Sequence, residues 1–381
     1  MHTPKEKNMR TVAIIGGGVS GTLTALHLRK SSKGVRIVIT DPRPELGLGL
    51  AYSTPSLRHL LNVPAGKISA LPSEPEHFLN WLRVNFDPEA TAITFAPRAV
   101  FGRYIRALFT QAADIEHLQA SAVDLQMARD AATLILGDGS SLRADFVVLA
   151  TGNFDPAALP GIDIAAVESG AYCHNAWSES TYANLPADAP VTLIGTGLTG
   201  VDVVLRLREL RHQGVITAVS RHGVFPNRHA VYTSAACSVI PVGTRPTCVS
   251  YLRAVRAAIA EGMEWRAAVD SLRSTTNDLW LALPRKEQER FRRHLQRRWD
   301  VVRHRMAPPI ADMIEAELAA GTLRIEPGHL AAVRASGLGA KITLRGTEGR
   351  TELLTGRVIN CTGPSMNYRR VGSPLLSSLF A

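Results

Sequence analysis

The chain has 381 residues, 45% of them apolar and 20% charged, with a formal net charge of +10. That leaves room for two or three domains with real cores and excludes wholesale disorder, and no apolar run is long enough to span a bilayer. The four cysteines, Cys173, Cys237, Cys248 and Cys361, include no Cys-x-x-Cys pair, which excludes a locally encoded redox dithiol and leaves reduced, structural thiols as the expectation.

The N-terminus, MHTPKEKNMR, is charged and lacks the apolar core of a secretory signal. A cytoplasmic protein is expected, with Met9 a workable start and the eight residues before it a disordered extension. Val12 to Ile15 then read as a buried parallel strand that runs into Gly16, Gly18 and Gly21 before a helix-forming segment ending near Lys30. Each glycine has its own mechanical reason. Gly16 lets the chain turn sharply, Gly18 lets a pyrophosphate approach the backbone, and Gly21 lets the helix pack on its strand. The phosphate would sit on the positive end of the helix, beside Ser20. A second strand, Arg36 to Thr40, ends at Asp41, where a carboxylate can accept from ribose hydroxyls.

The connection from Pro42 to Phe78 is rich in Gly, Pro and Ser and too long for an idle loop, so it is expected to cover a ligand, with Gly47 and Gly49 allowing close approach and Asn62 and Ser69 offering hydrogen bonds. Helices are expected at Glu76 to Val84 and at Gly102 to Ala112, the second flanked by solvated Arg98 and Arg103. Ile115 to Val148 reads as a β-meander with an Asp138-Gly139 turn, closing in the apolar strand Phe146 to Leu149 and the turn Thr151-Gly152.

The same plan then recurs. Val191 to Ile194 is a buried strand followed by Gly195, Gly197 and Gly200, a helix through Leu210 closed by Gly214, and a strand Ile216 to Val219. A β-rich stretch, Leu323 to Leu344, leads into a strand ending in Thr362-Gly363. Between them lies an excess of helical sequence, Ser250 to Ala320, broken at Pro284 and Pro308-Pro309. Its segment from Arg285 to Arg305 holds nine Lys or Arg against three acidic residues, a net +6. Phe291, Leu295, Val302 and Met306 recur at helical spacing with Trp299 between, so one apolar face and one solvated basic face are expected, with an anion-attracting or nucleic-acid surface as the rarer use of such a face.

The two glycine motifs differ at one decisive place. Where the first copy has Asp41, the second has Ser220, followed by Arg221 and His222. A carboxylate accepts from a 2′-hydroxyl and repels a 2′-phosphate, whereas Ser-Arg supplies donors and positive charge for that phosphate. One chain holding two unlike dinucleotides implies electron transfer between them, for which a nicotinamide and a flavin are the natural pair.

On GGGVSG, GLGLAYS, LLNVPA, ATG, GTGLTG, SRHG and INCTG, spread over almost the whole chain, the sequence resembles the FAD- and NAD(P)-binding flavoproteins with two Rossmann-type domains, to which flavin monooxygenases belong. The resemblance implies an α/β fold of two Rossmann-type dinucleotide-binding domains, with β-meanders and a helical insertion in the second. It implies FAD at the first motif and NADP at the second, with Thr151-Gly152 and Thr362-Gly363 as the crossings between domains. On that pattern the FAD-binding domain covers 10–155, the NAD(P)-binding domain 156–362 with the insertion at about 250–320, and 363–381 is a return segment that reads as incomplete, leaving a sheet edge open to self-association. GAYCHNAW, with Gly170, His174 and Trp177, also resembles part of the flavin-monooxygenase fingerprint, one residue short between His and Trp. A buried, hydrogen-bonded linker histidine is the plainer reading of His174.

The function this implies is an FAD-dependent oxidoreductase that uses NADPH to reduce the flavin and acts on a small molecule, as a monooxygenase or as a plain reductase. No side-chain nucleophile is apparent and no catalytic residue is assigned. The twelve histidines form no H-x-x-x-H or H-x-H spacing beside a carboxylate, which speaks against a metal hydrolase. A membrane partner is not expected, and nucleic acid is disfavoured.

Overall fold

The computed structural model describes residues 9–112, 114–337, 339–346 and 349–381; the expected N-terminal extension lies outside them. The chain divides into two compact units, one comprising Met1–Leu159, Leu205–Arg211 and Thr362–Ala381, the other Pro160–Val204 and His212–Cys361.

In the first unit, β1 (Arg10–Ile15) leads through the glycine turn into α1 (Val19–Ser31) and β2 (Val35–Thr40). A helical turn α2 (Gly49–Tyr52) and two longer helices, α3 (His77–Asn85) and α4 (Arg98–Thr110), precede β3 (Glu116–Leu118). Then come β4 (Ala122–Met127), β5 (Ala132–Leu136), β6 (Ser141–Ala144) and β7 (Phe146–Leu149). The parallel sheet runs β3-β2-β1-β7. Because successive strand residues face opposite sides, Val12 and Ile14 pack with Ile37, Ile39 and α1, while Ala13 and Ile15 pack with Leu134, Leu136 and Leu142 of the meander. Phe78, Phe101 and Tyr104 of α3 and α4 form a separate aromatic cluster, with ring centroids 5.0 to 5.6 Å apart. The C-terminal helix Pro374–Phe380 seats Leu375 in the meander core and bonds Ser378 to Asp124.

Several expectations need correcting here. The meander is β4-β5-β6 alone: Glu116–Leu118 and Phe146–Leu149 join the parallel sheet instead. Alternation within a short strand does not specify which strand it will pair with. Arg98 and Arg103 both lie within α4, which begins right after Pro97. Residues 363–381 add helix and no strand, so β7 is the outer strand among the described residues, with Phe146 and Leu149 half exposed.

The second unit opens with α5 (Ile164–Glu168) and β8 (Tyr172–Cys173), then β9 (Val191–Ile194), a glycine turn, α6 (Leu198–Glu209) and β10 (Ile216–Ser220). Six helices follow: α7 (Cys248–Ala260), α8 (Trp265–Asp270), α9 (Thr276–Ala282), α10 (Arg285–His294), α11 (Gln296–Arg303) and α12 (Pro308–Ala319). The chain returns through β11 (Leu323–Pro327), the antiparallel strands β12 (His329–Ser336), β13 (Gly339–Gly346) and β14 (Gly349–Thr355), and β15 (Arg357–Asn360). The parallel sheet runs β11-β10-β9-β15-β8. It is the order of the first sheet with one strand more: β8 covers the side of β15 that corresponds to the outer side of β7.

Two further expectations need correcting in this stretch of the chain. The left-handed residue after α6 is Arg211, at φ 62°, not Gly214. Gly214 is required for a different reason, since a Cβ there would collide with the carbonyl of Ala189. The basic segment is two helices meeting at Leu295, not one continuous amphipathic face, and Met306 lies buried beyond their end.

Candidate dinucleotide sites

Both glycine turns are built alike. Gly16 and Gly195 sit at φ 105° and 121°, a region that side chains rarely adopt. A Cβ on Gly21 would strike the carbonyl of Gly16, and one on Gly200 the carbonyl of Gly195, so only glycine lets each helix pack this close to its strand end. At the middle glycines there is room: the nearest atom to a Cβ on Gly18 is Gly49 Cα at 3.5 Å, and nothing stands within 4 Å at Gly197. Neither α1 nor α6 has an acidic residue in its first turn, and α1 starts without a side-chain cap. The first N–H groups of α1 are thus left for an anion, with exposed Ser20 among them.

The connection after Asp41 closes over the first turn. Gly47 N–H donates to Gly17 O at 2.8 Å, which brings Gly49 against Gly18. Ser69 is not free to bind a ligand, because its hydroxyl bonds the carbonyls of Leu71 and Glu74. Asn62 lies half-buried in this connection with no hydrogen bond to the turn. Thr151 and Gly152 follow the end of β7, which runs parallel to β1, and Ala150 N–H donates to Ile15 O at 2.8 Å. That places Gly16, Gly18, Gly21 and Thr151-Gly152 around one end of the sheet.

Asp41 is buried and already engaged. Its Oδ2 accepts from Gly17 N–H at 2.7 Å and Arg43 Nη2 at 2.6 Å, and its Oδ1 from Arg43 N and Nε, both at 2.9 Å. Burial pushes this carboxyl upward, but the bonds from Arg43 and Gly17 outweigh it and hold the group below the ordinary carboxylate range. The carboxylate thus ties the second strand to the glycine turn, and a ribose hydroxyl would reach it by sharing or displacing half-exposed Arg43. Arg43, two residues past Asp41, was not singled out in the sequence.

At the second site Ser220 is likewise engaged. Its Oγ accepts from Gly223 N–H at 3.1 Å and lies 2.9 Å from Thr196 Oγ1. Thr196 Oγ1 donates toward both Ser220 Oγ and the nearer Val224 O at 2.6 Å. The hydroxyl knots strand end to glycine turn, and the free donor beside it is exposed Arg221. Sequence reading missed a second cation here. Arg297 of α11 donates from Nη2 to Thr196 Oγ1 at 2.8 Å and to Val224 O at 2.6 Å. Burial, and then the positive charge of Arg221, lower its guanidinium from the ordinary arginine value, while Asp300 opposes them.

Thr362 and Gly363 follow β15 directly and fall in the first unit's C-terminal segment. His174 is half-buried, 3.3 Å by Nδ1 from Tyr172 OH, to which Asn360 Nδ2 donates at 3.4 Å. That arrangement matches a hydrogen-bonded structural histidine.

Residues 13–154 match the family described as FAD-NAD(P)-binding. The chain is 25% identical over 244 residues to the uncharacterized protein YdhS of Escherichia coli K12, covering 58% of the present chain and 43% of YdhS, so it spans less than half the length of that relative. Its fold is similar to that of the ornithine N-hydroxylase KtzI of Kutzneria sp. 744, solved with reduced FAD, NADP+ and L-ornithine (TM-score 0.62, 13% identity, 93% of this chain and 80% of that one). It is similar also to the ornithine hydroxylase PvdA of Pseudomonas aeruginosa (TM-score 0.61, 16% identity, 97% and 85%). The α/β fold with two dinucleotide-binding units, read from the repeated glycine motif, is therefore the fold the chain has. Among the described residues no helix is long and apolar enough to cross a membrane.

Proposed function

We propose that this protein is an FAD-dependent oxidoreductase that takes electrons from NADPH and acts on a small molecule in the manner of a flavin monooxygenase. The observation that carries this reading is the contrast between two otherwise equivalent turns: one strand ends on Asp41, the other on Ser220 with Arg221 and Arg297 beside it. A buried carboxylate suits an adenosine with a free 2′-hydroxyl, and two neighbouring guanidinium groups suit a 2′-phosphate. FAD accordingly belongs at Gly16, Gly18, Ser20, Gly21 and Asp41, with Thr151 and Gly152 beside them and Asn62 in the covering connection. NADP belongs at Gly195, Gly197, Gly200, Ser220 and Arg221. Thr362 and Gly363 are the remaining backbone positions proposed to pass close to a cofactor.

The flavin, when bound, supplies the redox chemistry. The chain's own residues do the rest: the glycine turns admit pyrophosphate to the backbone, the open helix ends stabilise its charge, and the strand-end residues sort one adenosine from the other. The ornithine hydroxylation for which KtzI and PvdA are named supports an N-hydroxylating monooxygenase as the class to test first. Anaerobic titration of the flavin absorbance with NADPH and with NADH tests the coenzyme assignment: reduction by NADPH at clearly lower concentration is expected, and no reduction by either would overturn it. Oxygen uptake with a panel of amines and amino acids then separates the two forms of the activity. Uptake tied to a hydroxylated product marks a monooxygenase, whereas NADPH oxidation without such a product marks a reductase.

A further inference from the structure

Helices α7 to α11 of the second unit do not close into a solid bundle. They surround a cavity of about 640 Å³, within the range of about 300 to 1,000 Å³ usual for sites that bury a small organic ligand. Protein interiors carry few voids larger than a water molecule, and an apolar void offers water no partners. Three of the chain's five tryptophans, Trp265, Trp280 and Trp299, line this one, together with Tyr251 and aliphatic side chains of α7. None of these aromatic side chains is fully buried. The walls therefore offer apolar surface that the fold itself leaves uncovered.

The charges of the lining are all of one sign. Arg256 and Arg298 belong to it, both are exposed, and no lining residue is acidic. In the same segment some arginines are paired, Arg266 with Glu264, Arg285 with Glu289, Arg290 with Glu287 and Arg305 with Asp270, whereas Arg253, Arg292 and Arg293 make no ion pair among the described residues and do not line the chamber. Arg256 and Arg298 make no ion pair among the described residues. Two unpaired guanidinium groups thus stand where an apolar chamber meets solvent. The thiol of Cys248, also in the lining, is engaged with the carbonyl of Glu287 at 3.1 Å and adds no second polar anchor.

We infer that the helical insertion is a binding site of its own for a small amphipathic carboxylate, its apolar body held among Trp265, Trp280 and Trp299 and its anionic end at Arg256 and Arg298. Charge decides the class of occupant. A neutral apolar molecule would fill the chamber equally well but leave both cations without a partner, whereas an apolar cation would be repelled by them. The site lies wholly within the second unit and none of the residues of the glycine turns lines it, so the inference does not rest on the dinucleotide reading.

The test is calorimetric titration of the purified full-length protein with decanoate and, separately, with decanol, both below the concentrations at which they aggregate. Saturable binding of one decanoate per chain is expected, with decanol at least tenfold weaker. Arg256→Gln with Arg298→Gln, both at exposed positions, should weaken decanoate at least tenfold and leave decanol unchanged. Leu252→Trp, which intrudes on the chamber, should weaken binding of both several-fold, with circular dichroism showing that the helices persist. No saturable decanoate binding would overturn the site. Equal affinity for acid and alcohol, unmoved by the arginine substitutions, would overturn the charge assignment, and decanoate affinity left unchanged by Leu252→Trp in a folded protein would overturn its location.

Discussion

Arg297 on α11 reaches back across 101 residues of sequence to donate to Thr196, the residue between the first two glycines of the second turn. The helical insertion therefore ties to the second glycine turn and adds a charge beside Arg221. Arg297→Ala is expected to weaken binding of 2′,5′-ADP about tenfold, more than it weakens 5′-ADP, since both ligands feel the loosened turn but only one carries the 2′-phosphate. Isothermal titration of the two nucleotides checks this. Equal, small losses for both would reduce Arg297 to a purely structural tie.

Arg221 is the exposed member of the pair. Charge-assisted hydrogen bonds contribute about 1.5 to 3 kcal/mol, or roughly ten- to a hundredfold in affinity. Arg221→Ala should accordingly erase most of a preference for NADPH while NADH use stays nearly intact. Steady-state comparison of the two coenzymes reads this directly, and a parallel loss with both would point to a misassigned phosphate site.

Within the first turn two glycines should respond differently to substitution. At Gly18 a Cβ makes only ordinary contact, with Gly49 Cα 3.5 Å away, so Gly18→Val should leave the fold standing but block the pyrophosphate path. The purified variant should be colourless, with native circular dichroism. At Gly21 the obstacle is the carbonyl of Gly16, which cannot move without breaking the strand end. Gly21→Val should therefore lower the melting temperature sharply or yield insoluble protein. A yellow, fully loaded Gly18→Val protein would place the flavin elsewhere.

Asp41 carries a pH signature. Its folded-state carboxyl lies below the ordinary value of 3.8, so the unfolded chain binds that proton more readily, and the stabilisation is present above this range and lost as pH falls through the folded value. Asp41→Asn keeps an acceptor for Gly17 N–H but loses the charge facing Arg43. With Arg43 half exposed, the expected cost at pH 7 is about 1 to 2 kcal/mol. Thermal melts of wild type and variant should differ at pH 7 and converge as the pH is taken below about 4. A gap that does not narrow in acid would mean that the ion pair contributes nothing to folding.

The thiols should sort by burial. All four cysteines are free, Cys237 is exposed, and Cys248 and Cys361 are buried. Burial also pushes the Cys173, Cys248 and Cys361 thiols above their ordinary value, and a thiol reacts as its thiolate. Native protein treated with an aromatic disulfide reagent should release one equivalent quickly and the other three only on denaturation. The Cys237→Ser variant should lose the fast phase.

What could be read from the residues alone was what is written locally. Four apolar residues, glycines at fixed offsets and a helix-forming run specify a strand, a turn and a helix wherever they fall, and their recurrence at Gly195 was enough to read two dinucleotide units and an excess of helix between the halves of the second. The contrast between Asp41 and Ser220 was legible for the same reason, because the strand end lies at a constant distance from the last glycine. Only the folded chain decided which strands became neighbours, since neither the three residues Glu116–Leu118 nor the apolar run Phe146–Leu149 names its pairing partner. It also decided that Asp41 bonds Arg43, that Ser220 is consumed in a knot with Thr196, and that α10 and α11 turn their apolar side chains toward a chamber instead of a solid core. Periodicity records which face of an element is apolar, whereas a side chain's partner, 101 residues away in the case of Arg297 and Thr196, depends on packing that no local pattern encodes.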